Sequence, residues 1–267
     1  MKNILITGAS GGMGKVATNY LADQGMHIYA LDIKPLEEAE NVTSFICDLT
    51  KKDEVKRVKE ELKNIKLDAI IHLVGTYKMD SLIEIPEESF RKIFDINFHS
   101  IYLVNKYFFE LLNPNSKIVM ISSELAPLDP LPFNGLYSLT KSLLEQYAVS
   151  LRQELNLLGH QVIIVRPGAI ATGMIDESVT SVKEMVKDTK LYQEYVANFC
   201  KIVEANESKT VEPIKIAKLI NKVLRKKKPK LLYSLNRNPK LILLSMLPKR
   251  TQLWIIKKML GKKEKQR

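Results

Sequence analysis

The chain is predicted to fold as a single Rossmann-like α/β domain, a doubly wound parallel sheet with helices on both faces. Three observations predict it. Six short runs are largely apolar, as strands covered on both faces must be. Most runs are followed by a segment of helical periodicity, the alternation that builds βαβ units. Chemistry-bearing residues stand just after the runs, where open parallel sheets bind ligands. At 267 residues the length suits one such domain with a short appendage.

Residues 3–6 form the first run and lead into Thr7-Gly8-Ala9-Ser10-Gly11-Gly12-Met13-Gly14, with a helical stretch to about Gly25. A strand, a glycine-rich turn and a helix make an anion cradle, because free backbone N–H groups and the positive helix end face a pyrophosphate. Gly8, Ser10, Gly12, Met13 and Gly14 are the candidate contacts, although the spacing Gly-x-x-x-Gly-x-Gly differs from the commoner Gly-x-Gly-x-x-Gly. The second run, 28–31, ends at Asp32, about twenty residues after the glycines. A carboxylate there suits the adenosine ribose hydroxyls and repels a 2′-phosphate. That favours NAD, with NADP kept as the alternative by Lys15 and Lys34 nearby. The third run, 44–47, ends at Asp48, and 51–66 reads as a solvated lysine- and glutamate-rich helix.

The fourth run, 69–74, leads into Gly75, and Ser89 to about Asn113 reads as one long helix carrying Asn97 in its early turns. The fifth run, 116–121, delivers Ser122 and Ser123 to a strand edge. A loop with Pro127, Pro130 and Pro132 precedes a helix from Tyr137 to about Leu158. The sixth run, 161–165, is followed by Arg166-Pro167-Gly168-Ala169-Ile170-Ala171-Thr172. Residues 173–212, with Met174, Met185, Tyr192, Tyr195 and Phe199, are either a mobile lid over an apolar substrate or an ordinary helical hairpin. A further helix is expected over 211–225.

Tyr137 and Lys141 stand at i and i+4, on one helix face. An ammonium beside a phenol favours the phenolate and is expected to lower the tyrosine pKa. Ser123 can polarise a carbonyl oxygen that the tyrosine protonates, which is machinery for interconverting a ketone and an alcohol. Tyr102 and Lys106 repeat the spacing, but with no strand-end hydroxyl before them and no Pro-Gly loop after.

Cys47 and Cys200 form no disulfide framework, and four scattered histidines carry no metal spacing. Two buried thiols in a reducing compartment are expected, so the chain is read as cytoplasmic. The net charge of +11 is uneven: residues 215–267 hold 18 Lys/Arg and one acid, Glu264, while residues 1–214 hold 23 Lys/Arg and 29 Asp/Glu. The domain is placed at 1–230, with a basic amphipathic extension over 231–267. Leu241-Ile242-Leu243-Leu244 is too short to span a bilayer. After Pro248 a helix would group Leu253, Ile256 and Leu260, with Arg250, Lys257 and Lys258 largely opposite and Trp254 on the basic side. Peripheral attachment to an anionic membrane and packing against the body or a second subunit both fit. Nucleic acid is not an expected partner, since no recognisable module is present.

Taken together, these motifs resemble the short-chain dehydrogenase/reductase family over roughly residues 1–230. Thr7-Gly8-x-x-x-Gly12-x-Gly14 is similar to its cofactor loop and Asp48 to the acidic residue near the adenine, with Leu49 beside it. Asn97, Ser123, Tyr137 and Lys141 are similar to its catalytic tetrad, and Pro167-Gly168 with Ile170 and Thr172 to its nicotinamide-side loop. Where the family carries Asn-Asn-Ala-Gly, this chain has His72-Leu73-Val74-Gly75, so altered local hydrogen bonding is expected. The resemblance implies Tyr137 as general acid or base, Lys141 holding the nicotinamide ribose, Ser123 orienting the carbonyl and Asn97 holding a proton-relaying water. It also implies a homo-oligomer and, through its retinol- and hydroxysteroid-dehydrogenase-like members, a lipophilic alcohol or ketone. A catalytically silent dinucleotide sensor and a reductase of small polar ketones are the alternatives.

Overall fold

The structure, a computed structural model, describes residues 2–37, 39–206 and 210–261. Seven parallel strands run β1 (Asn3–Thr7), β2 (His27–Asp32), β3 (Val42–Ile46), β4 (Leu67–His72), β5 (Leu112–Ile121), β6 (Gln161–Pro167) and β7 (Leu232–Leu235). Their order across the sheet is β3-β2-β1-β4-β5-β6-β7. The order reverses between β1 and β4, and that switch point opens a crevice at the carboxyl edge.

Strand alternation explains why both faces are covered. Ile4 and Ile6 of β1, Ile71 of β4 and Val119 of β5 join one core with residues of α1 (Gly12–Asp23) and α8 (Ile214–Arg225). Leu5, Ile70 and Ile118 point the other way, into a core with α2 (Lys52–Glu61), α4 (Ser100–Phe108) and α5 (Gly135–Leu157). Arg166 grips Glu145 through two nitrogens, at 2.7 and 2.5 Å, and so ties β6 to α5.

The helix expected over 89–113 is broken. It comprises α3 (Glu87–Phe94), a π turn (Asp95–His99), α4 and a 3₁₀ turn (Phe109–Leu111), after which β5 begins. The wide turn swings Asn97 into a buried position, and such local π turns mark functional sites. The region 173–212 contains α6 (Gly173–Asp188) and α7 (Gln193–Asn206), packed on each other. Val182, Met185, Val196 and Phe199 of this pair form a third core with Met79, Phe133 and Leu260. Glu84 accepts bonds from Thr189 Oγ1 and the Lys190 and Leu191 N–H groups, which anchors the turn between α6 and α7.

A boundary at residue 230 does not follow the sheet. Residues 232–235, assigned above to an extension, are the seventh strand, paired with Ile164–Pro167 of β6. Four residues between lysines and Asn236-Arg237-Asn238 are too few to show a period. Beyond β7 come α9 (Pro239–Ser245) and α10 (Lys249–Leu260). Ile256 and Leu260 of α10 pack on the third core, while Leu253, expected on the same face, is 67% exposed beside Trp254 at 60%. Residues 207–209 and Glu264 lie outside the described residues.

Ending the chain at residue 230 should therefore uncover β6 and lower Tm by about 10 °C or more, or abolish soluble expression. Ending it at residue 247 leaves the sheet intact and should cost about half as much or less, as measured by thermal melts.

Candidate active site

The loop after β1 is held so tightly that Gly8, Gly12 and Gly14 have no room for a side chain. Gly8 has φ +71°, and a Cβ there would lie 2.4 Å from the Val74 nitrogen. At Gly14 a Cβ would stand 1.9 Å from the Gly8 oxygen, and at Gly12 2.7 Å from Thr172 Cβ. No side chain caps the start of α1, so its first N–H groups remain available to an anion. Asp32 turns back to the loop, Oδ2 accepting the Ser10 N–H at 2.9 Å. The residues present fit a dinucleotide: bare amides for the pyrophosphate and a strand-end carboxylate for the ribose.

At the end of β3, burial raises the Asp48 carboxyl, but bonds from Thr50 and the Lys51 ammonium outweigh this and hold it below the usual range. The Leu49 side chain packs in the core, which leaves only its backbone to meet a ligand. Gly75 marks the exit of β4; a Cβ there would come within 3.3 Å of Lys141 Nζ. Pro167, Gly168, Ile170 and Thr172 line the same cavity as Met13, Ser123, Tyr137 and Lys141.

Tyr137 and Lys141 occupy the first two turns of α5 and are both buried. Lys141 Nζ lies 5.7 Å from the phenol ring centre and donates to the Ile121 carbonyl at 3.1 Å. The expected lowering of the tyrosine pKa is not what this arrangement produces. Burial pushes the phenol up to about 12 against the opposing hydrogen bond from Ser123, and burial alone brings Lys141 down to about 8. Removing water penalises the phenolate more than the ammonium, engaged by Ile121, can favour it. The site as it stands holds a protonated acid. Ser123, whose Oγ accepts the Leu125 N–H at 3.2 Å, is the serine that favours the Tyr137 phenolate; Ser122 Oγ is buried with no partner among the described residues.

Asn97 uses both of its amide hydrogens within the protein. They go to the Thr76 carbonyl at 3.0 Å and Thr140 Oγ1 at 3.1 Å, while Oδ1 accepts the Thr76 N–H at 2.8 Å. Thr140 in turn donates to the Tyr137 carbonyl at 2.8 Å. Asn97 thus clamps the β4 exit loop to the turn that carries the tyrosine. His72 bonds Thr7 Oγ1 at 3.2 Å and Asn105 Oδ1 at 2.9 Å, a buried polar chain where the family has asparagine. Tyr102 and Lys106 meet each other at 3.3 Å on the exposed surface, away from all of this.

The cavity holds about 260 Å³. Among the lining residues that sequence reasoning missed are Tyr77, Met79, Glu124, Leu131, Asn134, Asn238 and Leu241. The Tyr77 ring lies 4.3 Å from that of Tyr137, and its hydroxyl donates to Asn134 Oδ1 at 2.8 Å. Tyr77 and Asn134 sit in irregular loops with no periodic signal. Asn238 and Leu241 follow the strand that was missed, but Glu124 was discoverable as the residue after Ser123.

A dinucleotide cradle at the switch point, feeding a cavity with a buried Ser-Tyr-Lys set, defines an oxidoreductase that uses a nicotinamide cofactor. The family model described as short chain dehydrogenase matches residues 2–183, and the chain belongs to that family. It is therefore an NAD(P)-dependent oxidoreductase. It is 28% identical to a 3-ketodihydrosphingosine reductase of Bacteroides thetaiotaomicron over 230 residues, covering 85% of this chain and 84% of that one. It is also 28% identical to an NADPH-dependent 1-acyldihydroxyacetone phosphate reductase of Schizosaccharomyces pombe, over 73% of this chain and 69% of the other. A solved short chain dehydrogenase family protein from Francisella tularensis superposes with a TM-score of 0.74 at 25% identity, covering 88% of this chain and 97% of its own.

Tyr137→Phe should abolish turnover, by about 10³-fold or more, while leaving NAD(H) binding nearly intact in a fluorescence titration. Lys141 loses its proton as pH rises through about 8. The value of kcat/KM for the cofactor, which reports the free enzyme, should fall above that pH. Lys141→Met should lack that transition.

Proposed function

We propose that the protein reduces the ketone of a lipophilic substrate to a secondary alcohol. The observation that carries this is a buried Tyr137 beside Ser123 and Lys141 in a cavity with Met79, Leu131, Phe199 and Val203 in its wall. NAD(P)H supplies the hydride when bound. Ser123 orients the carbonyl oxygen, and Tyr137 gives that oxygen its phenolic proton as negative charge develops on it. Lys141, positive below about pH 8, stabilises the phenolate left behind. Gly8, Gly12 and Gly14 hold the cofactor's pyrophosphate, and Asp32 and Asp48 face its adenosine end. The apolar wall supports a lipophilic substrate over a small polar ketone, and the two relatives named above are reductases of lipid-type ketones. Asp32 favours NAD over NADP.

The C-terminal segment is read as a peripheral membrane contact. No helix among the described residues is long and apolar enough to cross a membrane. Helix α9 is rich in leucine yet has no buried residue, and Leu243, Met246, Leu253 and Trp254 are exposed beside Lys249, Arg250, Lys257 and Lys258. Each basic residue near an anionic surface contributes roughly 1 kcal/mol. Exposed Leu139 and Leu143 on α5, with Tyr102 on α4, support self-association as a homo-oligomer.

Asp32→Ser should lower kcat/KM with NADH by about 10-fold or more and raise it with NADPH; an unchanged ratio would remove the NAD assignment. Full-length protein should co-sediment with phosphatidylserine vesicles at low salt, and Leu253→Ser/Trp254→Ser should weaken this by about 10-fold or more. Absence of binding at every salt concentration would sink the membrane reading.

A further inference from the structure

A second cavity, of about 210 Å³, opens at the amino ends of β1, β4 and β5, the opposite edge of the sheet from the candidate active site. Lys2, Asp68, Lys117 and, near the end of α8, Leu224 stand in its wall. A helix leaves its last carbonyls without partners of its own. Here the Leu224 oxygen accepts from two ammoniums, Lys117 Nζ at 2.8 Å and Lys2 Nζ at 3.5 Å. The two cations are therefore close neighbours.

Each ammonium carries three N–H donors and no acceptor, so one shared carbonyl leaves most of these donors unspent. Among the described residues neither lysine forms an ion pair. Asp68, the one acid in the wall, is committed elsewhere: Oδ2 accepts the Asn3 N–H at 2.8 Å and Oδ1 accepts from Asn113 Nδ2 at 3.0 Å. Burial, and after it the charge of Lys2, holds the Lys117 ammonium below the usual lysine range. Complementing the negative end of α8 takes one cation, and a second beside it adds repulsion. The neighbouring sequence deepens the excess. Lys222, Arg225, Lys226, Lys227 and Lys228 lie within four residues of Leu224, and no acid occurs between Glu212 and Glu264. Such a concentration of one sign draws in counter-charge.

We propose that this cavity binds a tetrahedral dianion of the phosphate class between Lys2 and Lys117. Its double charge matches the two ammoniums, and its oxygens accept the N–H donors that the Leu224 carbonyl leaves free. A single carboxylate would answer one lysine and leave the other, so a dianion suits the pair better. The site shares no lining residue with the substrate cavity. It therefore stands whether or not the chain reduces a lipophilic ketone.

Wild type, Lys2→Met and Lys117→Met are melted with and without inorganic phosphate at about pH 7.5, with ionic strength matched by chloride. Saturating NAD(P)H is present throughout, which keeps phosphate out of the pyrophosphate cradle. About 10 mM phosphate should raise the wild-type Tm by about 3 °C or more, and that of each variant by less than about 1 °C. Each protein is compared with itself, so a variant that starts less stable still reports. The general stabilisation by phosphate as an excluded salt is common to all three and cancels. A rise that either substitution leaves intact overturns the proposal. Where free phosphate gives no rise, phosphatidic acid vesicles form the second arm. Co-sedimentation weakened by about 3-fold or more in Lys117→Met assigns the dianion to a lipid headgroup, and equal binding by wild type and variant overturns the proposal.

Discussion

A buried ammonium must be given an acceptor, and the Ile121 carbonyl is the one Lys141 finds. That bond joins α5 to the last residue of β5, one step before the serines. It therefore sets where Tyr137 stands relative to Ser123. Asn97 and Thr140 brace the same turn from the other side, through the β4 exit loop. The reacting groups are thus fixed by backbone at the ends of β4 and β5, and the helix that carries two of them is locked by hydrogen bonds rather than by packing alone.

The same edge accounts for the cofactor half of the site. Gly8 and Gly14 allow the first loop to approach Val74 and itself at distances no Cβ permits, and Gly12 does the same for Thr172. The loop that carries Thr172 is in this way packed onto the glycine-rich loop. Any side chain at these three glycines would force the two loops apart.

Strands buried on both faces carry their own signal, so six of the seven were legible in the sequence, each within a few residues. The seventh was not: β7 is short, half-buried, preceded by lysines and followed by Asn236-Arg237-Asn238. The Tyr137–Lys141 pair was legible from its surroundings, which the surface copy at Tyr102 and Lys106 lacks. The sense of the tyrosine's pKa shift was not, because spacing shows the neighbouring charge and hides the loss of water around both groups. Asn97 was found, but its role depends on a π turn that no periodicity announces. Of the apolar face expected on α10, Ile256 and Leu260 pack inward and Leu253 does not, since helical spacing alone does not say what a face meets.

The placement of Asn238 and Leu241 in the cavity wall bears on how the protein is made. These residues follow the seventh strand. A chain emerging from the ribosome can complete its dinucleotide cradle long before they appear. The substrate chamber closes only once the segment after the seventh strand is made, so a chain still lacking that segment can hold the cofactor but has an open-sided substrate chamber.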